Sequence, residues 1–415
     1  MKIETLEDIL QHQKAANHRL YLVASENSPS ITARAALISD VLNRYYFPLD
    51  QYRHWAFPGN EFLESIYKRC ESLLREVTGA KYIVLRPISG ANAMTLALAS
   101  LTEAGDTIAS LSPENGGHGI TSFIARRLGL RTLHVPYDQK NYLVDCGALS
   151  DLVHTHNIHF IYLDQAHILF PINITNMKEV LPDETKIYYD GSHVMGLIFG
   201  SHFQSPLLEG ASFLGGSTHK TVPGPHKAFI ATNSESAYER IKLYGKVFIS
   251  HDHVGEVAAL AITLEEMRTK WDEYAERVVS NAQYFAELLS KKGFSIVANE
   301  HGFTSSHQLW IDIHPFMDAF EAVMLLASCN IITNTINAPS LSGRLAIRIG
   351  VQEITYCGAN RDTMEMLAGV FEKIFIKKTY SEESVKKTIS EIKKGLTPPL
   401  DKEYFERVYD ALNNY

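Results

Sequence analysis

Short apolar runs alternate with stretches of helical periodicity through the middle of the chain. This alternation is typical of an α/β domain that is built on a mostly parallel sheet. Residues 1–20 carry leucines and isoleucines at helical spacing, which predicts an N-terminal helix. The predicted strands of the central sheet are Tyr82–Leu85, Thr107–Leu111, Thr132–Val135, His159–Leu163, Lys186–Tyr189, Ser212–Leu214 and Ala228–Ala231.

A helical pattern then runs almost unbroken from Val254 to Lys292, where Gly293 follows. We expect one long helix here, which joins the central domain to a C-terminal one. The predicted organisation is an N-terminal arm over residues 1–40, a large domain over 41–290 and a small α+β domain over 291–415. The predicted strands of the small domain are Ser295–Val297, His307–Ile313, Asn330–Thr333 and Leu345–Ile349.

Composition and charge change this picture mainly by exclusion. The chain has 415 residues, of which 45% are hydrophobic, so it can bury a large core. The formal net charge is −8 and the basic residues are scattered, so nothing indicates a nucleic acid or an anionic membrane as partner. The polar start of the chain is unlike a signal peptide, and no apolar run reaches membrane-spanning length. We therefore expect a cytoplasmic enzyme.

The cysteines Cys70, Cys146, Cys329 and Cys357 lie far apart in the sequence. None of them forms a cluster with metal-site spacing, so we expect no metal site. Free thiols in a reducing compartment are the simplest interpretation.

Two of the predicted strand ends carry residues that suit a phosphorylated ring. Ligands of open α/β sheets bind at the carboxyl ends of strands, beside helix N-termini. Ser89, Gly90 and Ala91 open a helical run after the first strand, and small residues there leave backbone N–H groups accessible to a phosphate. His118 lies in a glycine-rich loop after the second strand, where an imidazole could lie flat on a ring. Taken singly, each feature favours the simpler interpretation, a capped helix for the first and a structural or exposed loop histidine for the second.

Two more strand ends carry charged groups. Asp190 ends a buried run, so its carboxylate needs a partner, either a protonated pyridine nitrogen or a helix N-terminus that it caps. Lys220 follows Ser217 between two apolar runs, and a partly buried lysine becomes nucleophilic toward carbonyls. Together with the two preceding strand ends, these groups describe pyridoxal phosphate (PLP) chemistry, in which the cofactor is the electron sink. Arg348, inside an apolar strand, invites either a substrate carboxylate or a structural ion pair.

The chain resembles serine hydroxymethyltransferases over nearly its full length. The resemblance implies PLP as cofactor and the fold type I of aspartate aminotransferase, with a large domain around a mostly parallel seven-stranded sheet and a smaller C-terminal α+β domain. It also implies a homodimer with shared active sites. The motifs that carry the resemblance are Leu22–Asn27, Gly116–His118, Asp190–Gly196, Thr218–Pro225 and Ile347–Gly350.

The resemblance also implies roles for individual residues. Lys220 is expected to form the imine with the cofactor, Asp190 to pair with its pyridine nitrogen and His118 to stack on its ring. With Tyr45, these are the expected catalytic residues. The other cofactor-binding residues expected are Ser89, Gly90, Ala91, His193, Ser217 and His219. The residues expected to bind substrate are Ser25 and Arg348, at its carboxylate, and Tyr45.

Departures from the family pattern concentrate upstream of the sheet. Phe47 stands where the family has a glutamate that is tied to proton handling in the folate-dependent reaction. His54 and Trp55 replace paired tyrosines, and Leu163–Gln165 lacks a serine of the family. The stretch that contacts the phosphate of the neighbouring subunit aligns loosely with Phe248–His253. These departures argue against folate-dependent chemistry.

The same departures resemble a narrower group, the threonine transaldolases of natural-product pathways. These relatives need no folate. They cleave L-threonine to acetaldehyde and a glycyl quinonoid, and then add that carbanion to a second aldehyde. The segments that carry this resemblance are His54–Pro58, Leu163–Gln165, Thr218–Pro225, Gly302–Gln308 and Gly350–Gln352.

We therefore predict a PLP-dependent aldol-type enzyme that acts on a small amino acid and an aldehyde. Its general base is His118, Tyr45 or a water molecule, and the sequence does not rank them. One alternative is a folate-dependent hydroxymethyltransferase that acts on serine or α-methylserine. A second alternative is a non-catalytic protein with the PLP-enzyme fold.

Overall fold

The computed structural model describes residues 3–47, 57–59, 61–341 and 343–413. The predicted motif at His54 and Trp55 lies outside these residues. The chain forms two compact units. The large unit consists of Asn27–Ala275 and Pro399–Tyr415, and the small unit consists of Met1–Glu26 and Glu276–Pro398. These limits differ from the predicted ones after residues 40 and 290, and the predicted three-part division stays a prediction.

The strands follow one another in chain order as β1 (Leu20–Tyr21), β2 (Tyr82–Val84), β3 (Thr107–Ser110), β4 (Arg131–His134), β5 (Tyr137–Asp138), β6 (Leu143–Val144), β7 (Phe160–Leu163), β8 (Lys186–Asp190), β9 (Phe213–Ser217), β10 (Ala228–Thr232), β11 (Ser295–Ile296), β12 (Gln308–Asp312), β13 (Ile331–Ile332), β14 (Asn334–Asn337) and β15 (Leu345–Gly350).

The α-helices are α1 (Glu4–Ala16), α2 (Ile31–Ala35), α3 (Glu61–Thr78), α4 (Gly90–Leu101), α5 (Thr121–Arg127), α6 (Cys146–His156), α7 (Ile174–Val180), α8 (Met195–Phe199), α9 (Glu235–Phe248), α10 (Val254–Met267), α11 (Trp271–Lys291), α12 (Ala319–Ser328), α13 (Gln352–Tyr356), α14 (Arg361–Phe371), α15 (Glu382–Lys394) and α16 (Lys402–Asn413).

The large unit is organised around a seven-stranded sheet in the order β2-β10-β9-β8-β7-β3-β4. Strand β10 runs antiparallel to both of its neighbours, and the other strands all run in one direction. This arrangement confirms the predicted mostly parallel sheet. Its central strands β7 and β8 are buried on both faces, which is why they read as continuous apolar runs. The rings of Tyr162 and Tyr188 stack at 4.6 Å in the core between β7 and β8.

The small unit contains an antiparallel four-stranded sheet in the order β11-β12-β15-β14. Strand β15 is central in this sheet, and Arg348 on it faces Trp310 on β12 and Asn334 on β14. Strand β1 pairs in parallel with β13, so the start of the chain is held within this unit. The predicted strands of the C-terminal α+β domain are confirmed, and β14 is one that the sequence pattern did not predict.

The prediction of a single long helix from Val254 to Lys292 is wrong, because two helices cover this segment. Helix α10 ends at Met267, and α11 begins at Trp271. At the break, the N–H of Arg268 donates to the carbonyl of Glu265 and that of Lys270 to the carbonyl of Met267, so short turns replace helical bonding. No glycine or proline marks the break, and the apolar periodicity continues on both sides of it.

The four cysteines are free thiols, as predicted. Within the described ranges, no helix is long and apolar enough to cross a membrane.

Candidate active site

Five loops of the large unit meet at one edge of the seven-stranded sheet. Because β2, β3, β7, β8 and β9 run in the same direction, their carboxyl ends lie side by side. Ser89 follows β2, His118 follows β3 and Asp164 follows β7. Asp190 ends β8, and Lys220 follows β9. Carboxyl ends of parallel strands are where open α/β sheets bind ligands, so this edge is the candidate active site.

The carboxylate of Asp190 is fixed by a set of donors at the end of β8. Tyr162 donates its hydroxyl to Oδ2 over 2.9 Å, and the backbone N–H of Ser192 donates to Oδ1 over 3.0 Å. The hydroxyl of Ser192 also donates to Oδ1. A Cβ on Gly216 would lie 2.6 Å from that Oδ1, so only a glycine leaves room for the carboxylate beside β9. An anionic group held this firmly suits a protonated ring nitrogen.

The helix α4 begins where Ser89, Gly90 and Ala91 were predicted to bind a phosphate. Ser89 is its N-cap, and the Ser89 hydroxyl accepts the N–H of Asn92 over 3.2 Å. A Cβ on Gly90 would lie 3.5 Å from the Cβ of Ser217, so the helix start lies against the loop after β9. The first N–H groups of a helix have no partner within it, and the start of α4 at this junction offers them to an anion.

The loop after β9 brings the lysine to the same place. The N–H of Ser217 donates to the hydroxyl of Ser192 over 2.9 Å, which ties β9 to the turn after β8. The ammonium of Lys220 donates to the hydroxyl of Ser217. Asn27 donates its side-chain amide to the carbonyl of Lys220 over 2.6 Å, and Thr218 donates its hydroxyl to the carbonyl of Pro225 over 2.8 Å. The lysine is thus carried on a turn that is fixed on both sides.

The imidazole of His118 lies within electrostatic range of both charged groups. Desolvation lowers its pKa, although the side chain keeps part of its surface exposed. Asp190 opposes this shift and raises the pKa, whereas Lys220 lowers it further. The structure therefore brings His118, Asp190 and Lys220 together, and His118 carries a neutral ring near pH 7.

Two more predicted histidines flank these groups. His193 is buried in the turn between β8 and α8. His219 stacks on His226 with ring centroids 4.1 Å apart. Burial lowers the pKa of His219 to about 3, and the neighbouring Lys220 and His226 lower it in the same direction. His219 is therefore a neutral imidazole, which does not repel the lysine beside it.

Tyr45 belongs to a separate aromatic cluster of the large unit. Its ring meets the edge of His251 at 4.8 Å and lies 6.0 Å from Phe47 and 5.9 Å from Phe57. His251 in turn stacks on His253 at 4.4 Å. The hydroxyphenyl group keeps half of its surface exposed. The described contacts of Tyr45 are with this cluster, and they do not include Lys220 or Asp190.

Ser25 and Arg348 lie in the small unit. Ser25 belongs to a segment that Gln352 holds, since the Gln352 amide donates to the carbonyls of Val23 over 2.8 Å and Glu26 over 2.6 Å. Arg348 on β15 is buried, and its Nε donates to Asn334 over 3.3 Å. Burial lowers the pKa of the Arg348 guanidinium to about 10. A buried guanidinium of this kind suits a carboxylate ligand.

Sequence reasoning missed the partners of the predicted groups. Tyr162, Ser192 and Asn27 hold Asp190 and Lys220, and Asp164 with Thr121 holds the His118 loop. Only Ser192 had a recognisable signal, because a Ser two residues after an Asp commonly forms a turn with it. The other partners depend on strand order.

The residues at this edge fit PLP. Two buried polar atoms near the predicted ligands, Oδ1 of Asp164 and Nδ1 of His219, have no hydrogen-bond partner in the described part of the chain. Such orphaned atoms are costly unless a ligand or water meets them. Helix α4 offers its N-terminus to a phosphate, Asp190 offers a carboxylate to a ring nitrogen, and Lys220 offers an amine to an aldehyde.

Comparisons with known proteins agree with this arrangement. The family model described as "Serine hydroxymethyltransferase" matches residues 2–371. A serine hydroxymethyltransferase of Thermoplasma volcanium is 33% identical over 396 residues, which are 92% of each chain. An L-threonine:uridine-5'-aldehyde transaldolase of a Streptomyces species is 35% identical over 370 residues, 87% of this chain and 89% of the relative. The crystal structure of L-threonine transaldolase from Pseudomonas fluorescens in the internal aldimine state superposes with a TM-score of 0.89 at 27% identity, covering 98% of this chain and 96% of that one.

Proposed function

The chain belongs to the serine hydroxymethyltransferase family, and we propose that it cleaves the Cα–Cβ bond of L-threonine. The glycyl unit is then transferred to an aldehyde acceptor. As a member of this family, the protein is a PLP-dependent enzyme with the fold of PLP-dependent transferases. Relatives whose names specify threonine transaldolases match it over most of its length, which supports this reaction, and serine hydroxymethyltransferases match it at similar identity.

We assign the cofactor contacts to the residues at the edge of the large sheet. Ser89, Gly90, Ala91 and Ser217 hold the phosphate, since the start of α4 and the end of β9 meet there. Lys220 supplies the amine for the aldehyde carbon of the cofactor. When bound, PLP withdraws electrons from the bond that breaks at the amino-acid Cα.

The chain's own residues then orient the ring and move protons. Asp190, held by Tyr162 and Ser192, keeps the ring nitrogen protonated. His118 covers the ring, and its lowered pKa leaves the imidazole able to take the proton of the β-hydroxyl group. Tyr45 and a water molecule are the other candidates for this base.

The remaining predicted residues take supporting roles. Arg348 and Ser25 bind the substrate carboxylate, the former through a guanidinium whose fork matches a carboxylate. His193 would contact the ring-hydroxyl side of the cofactor, and His219 keeps the lysine turn free of a second positive charge.

The observation that carries the proposed reaction is the packing of Phe47. Its ring lies 6.0 Å from Tyr45 and 5.7 Å from Phe57, so an apolar group occupies the position at which the folate-dependent pattern has a glutamate. A phenyl ring cannot transfer a proton. The site is therefore suited to a reaction that needs no acid at this position, and transfer between two aldehydes is such a reaction.

A homodimer completes the proposed site. Tyr45 contacts His251, which belongs to the Phe248–His253 stretch that the family resemblance assigns to the neighbouring subunit's phosphate. If two copies share their sites, a mixture of the Lys220→Ala and Tyr45→Phe variants regains activity that each variant lacks alone. No regain after subunit exchange contradicts the shared arrangement.

The test uses the purified holoenzyme, L-threonine and benzaldehyde as a probe acceptor, with and without tetrahydrofolate. We expect acetaldehyde and a β-hydroxy-α-amino acid to form without folate, and Lys220→Ala to form neither. Dependence on folate, with serine turned over and threonine untouched, would instead support the hydroxymethyltransferase alternative, which the Thermoplasma relative favours. A protein that binds PLP and turns over none of these amino acids would contradict the proposed reaction.

A further inference from the structure

A buried carboxyl group, that of Asp164, follows the strand between those that lead to Asp190 and to His118. These are the two residues proposed to contact the cofactor ring. Asp164 directly follows β7, and β7 lies between β8, which ends in Asp190, and β3, whose following loop carries His118. The Asp164 side chain is 4% exposed. A carboxyl group buried in this way costs free energy unless it is hydrogen-bonded, paired or protonated.

One oxygen of Asp164 holds the loop that carries His118. Oδ2 accepts the backbone N–H of His118 over 3.3 Å and the hydroxyl of Thr121 at the start of α5. A second set of bonds fixes the same loop to the residues after Asp164, because the carbonyl of Gly116 accepts the N–H groups of Ala166 over 2.8 Å and His167 over 3.1 Å.

The loop has little freedom to adopt another position. A Cβ on Gly117 would lie 2.3 Å from the carbonyl oxygen of Leu111, and one on Gly116 would lie 2.5 Å from that of His167. The backbone is therefore packed without space on both sides. The backbone position of His118 is therefore set by this packing and by the hydrogen bond to Asp164.

The other oxygen, Oδ1, is buried and has no hydrogen-bond partner in the described ranges. Burial raises the pKa of Asp164 to about 7, against the opposing effect of Thr121, while the nearby charge of Asp190 raises it further and the His118 N–H lowers it. Tyr162 is another titratable group that interacts with this carboxyl. Two ionised carboxylates on neighbouring strands would repel each other, so one negative charge at this edge is the favourable state.

We propose that Asp164 is a positioning residue for the cofactor ring, whose carboxyl group holds the His118 loop against the end of β7. This inference rests on the cofactor site and is independent of the reaction proposed above. It assigns Asp164 no direct part in bond breaking.

The test compares holoenzymes of Asp164→Asn, Asp164→Ala, Thr121→Val and Thr121→Ser. Thr263→Val is the matched control, because the Thr263 hydroxyl is also buried but donates to the carbonyl of Ala259 within α10. For each protein we measure the PLP dissociation constant by titration, the visible circular dichroism of the bound cofactor, and kcat and KM for the amino acid.

The expected losses follow from single hydrogen bonds. Loss of one such bond corresponds to a change of about tenfold, so Asp164→Ala and Thr121→Val should weaken PLP binding by about that factor and change the cofactor's circular dichroism. Asp164→Asn should bind PLP more tightly than Asp164→Ala, because its amide oxygen can accept the same two donors. Thr121→Ser should likewise retain binding, and Thr263→Val should change neither quantity.

Wild-type PLP binding and circular dichroism in Thr121→Val would overturn the positioning role, even if Asp164→Ala fails to fold. An Asp164→Asn protein that binds PLP as weakly as Asp164→Ala would overturn the role given to the two hydrogen bonds that Asp164 accepts. If the wild type binds PLP but transfers nothing from threonine to an aldehyde, the proposed reaction fails while this comparison still stands.

Discussion

A side chain at Gly216 would disturb the carboxylate at the end of β8 directly. It lies in β9 with a φ of +134°, a backbone conformation that favours glycine. A Cβ there would lie 2.4 Å from the hydroxyl of Ser192 and 2.6 Å from Oδ1 of Asp190. Gly216→Ala therefore pushes on the carboxylate that is proposed to hold the cofactor's ring nitrogen.

The cost has two parts. The positive φ costs a non-glycine residue about 1–3 kcal/mol. The overlap with Ser192 and Asp190 adds about 1–3 kcal/mol, the usual range for one methyl group too many in a packed interior. Gly105→Ala separates the two parts, because Gly105 has a φ of +100° but a Cβ there would meet nothing within 4 Å.

The assay is urea unfolding of both variants together with PLP titration. We expect Gly216→Ala to lose about 1–3 kcal/mol more than Gly105→Ala and to bind PLP far more weakly, because the Asp190 carboxylate must move. Gly105→Ala should bind PLP as wild type does. Equal stability of the two variants, with cofactor binding intact in both, would refute the close packing of Asp190 against β9.

Three further perturbations test other parts of the structure. Arg348→Lys should raise KM for the amino acid by about tenfold or more with a smaller change in kcat, because lysine cannot form the paired hydrogen bonds of a guanidinium, and steady-state kinetics check this. Arg86→Met should lower the unfolding free energy by about 3–5 kcal/mol in urea, since it leaves the buried carboxylate of Asp252 without its ion pair, and Asp252→Asn in the same chain should recover part of the loss. Because burial raises the pKa of Asp164 from 3.8 to about 7, the folded protein holds an extra proton between these values, and its stability should fall as the pH rises through that window. Urea unfolding at about pH 5 and about pH 7 should show this fall in wild type and a smaller one in Asp164→Asn.

The central sheet could be predicted from the sequence because most of its strands are buried on both faces. Each predicted apolar run overlaps an observed strand, and its ends differ from the strand's ends by at most three residues. Examples are the observed strands Phe160–Leu163 and Ala228–Thr232. Strand β9 was predicted to end at Leu214 and continues to Ser217, since glycines carry no apolar signal. One of those glycines, Gly216, leaves room for the Asp190 carboxylate beside β9.

The site could be predicted in its chain order but not in its contacts. Once the sheet is parallel, Ser89, His118, Asp190 and Lys220 must meet at one edge, and the structure places them there. Which neighbours hold them depends on strand order and register, which explains why Asp164 was noticed only as part of a motif. Tyr45 shows the opposite case, because its described partners come from an aromatic cluster that the sequence did not predict.

The proposed reaction moves the glycyl unit of threonine from one aldehyde to another without folate. The most direct measurement supplies the holoenzyme with L-threonine that is isotopically labelled at Cα, an unlabelled acceptor aldehyde and no tetrahydrofolate. We expect mass spectrometry to show unlabelled acetaldehyde and a new β-hydroxy-α-amino acid that carries the label. Label that stays in threonine, while tetrahydrofolate makes the same protein convert serine to glycine, would contradict it.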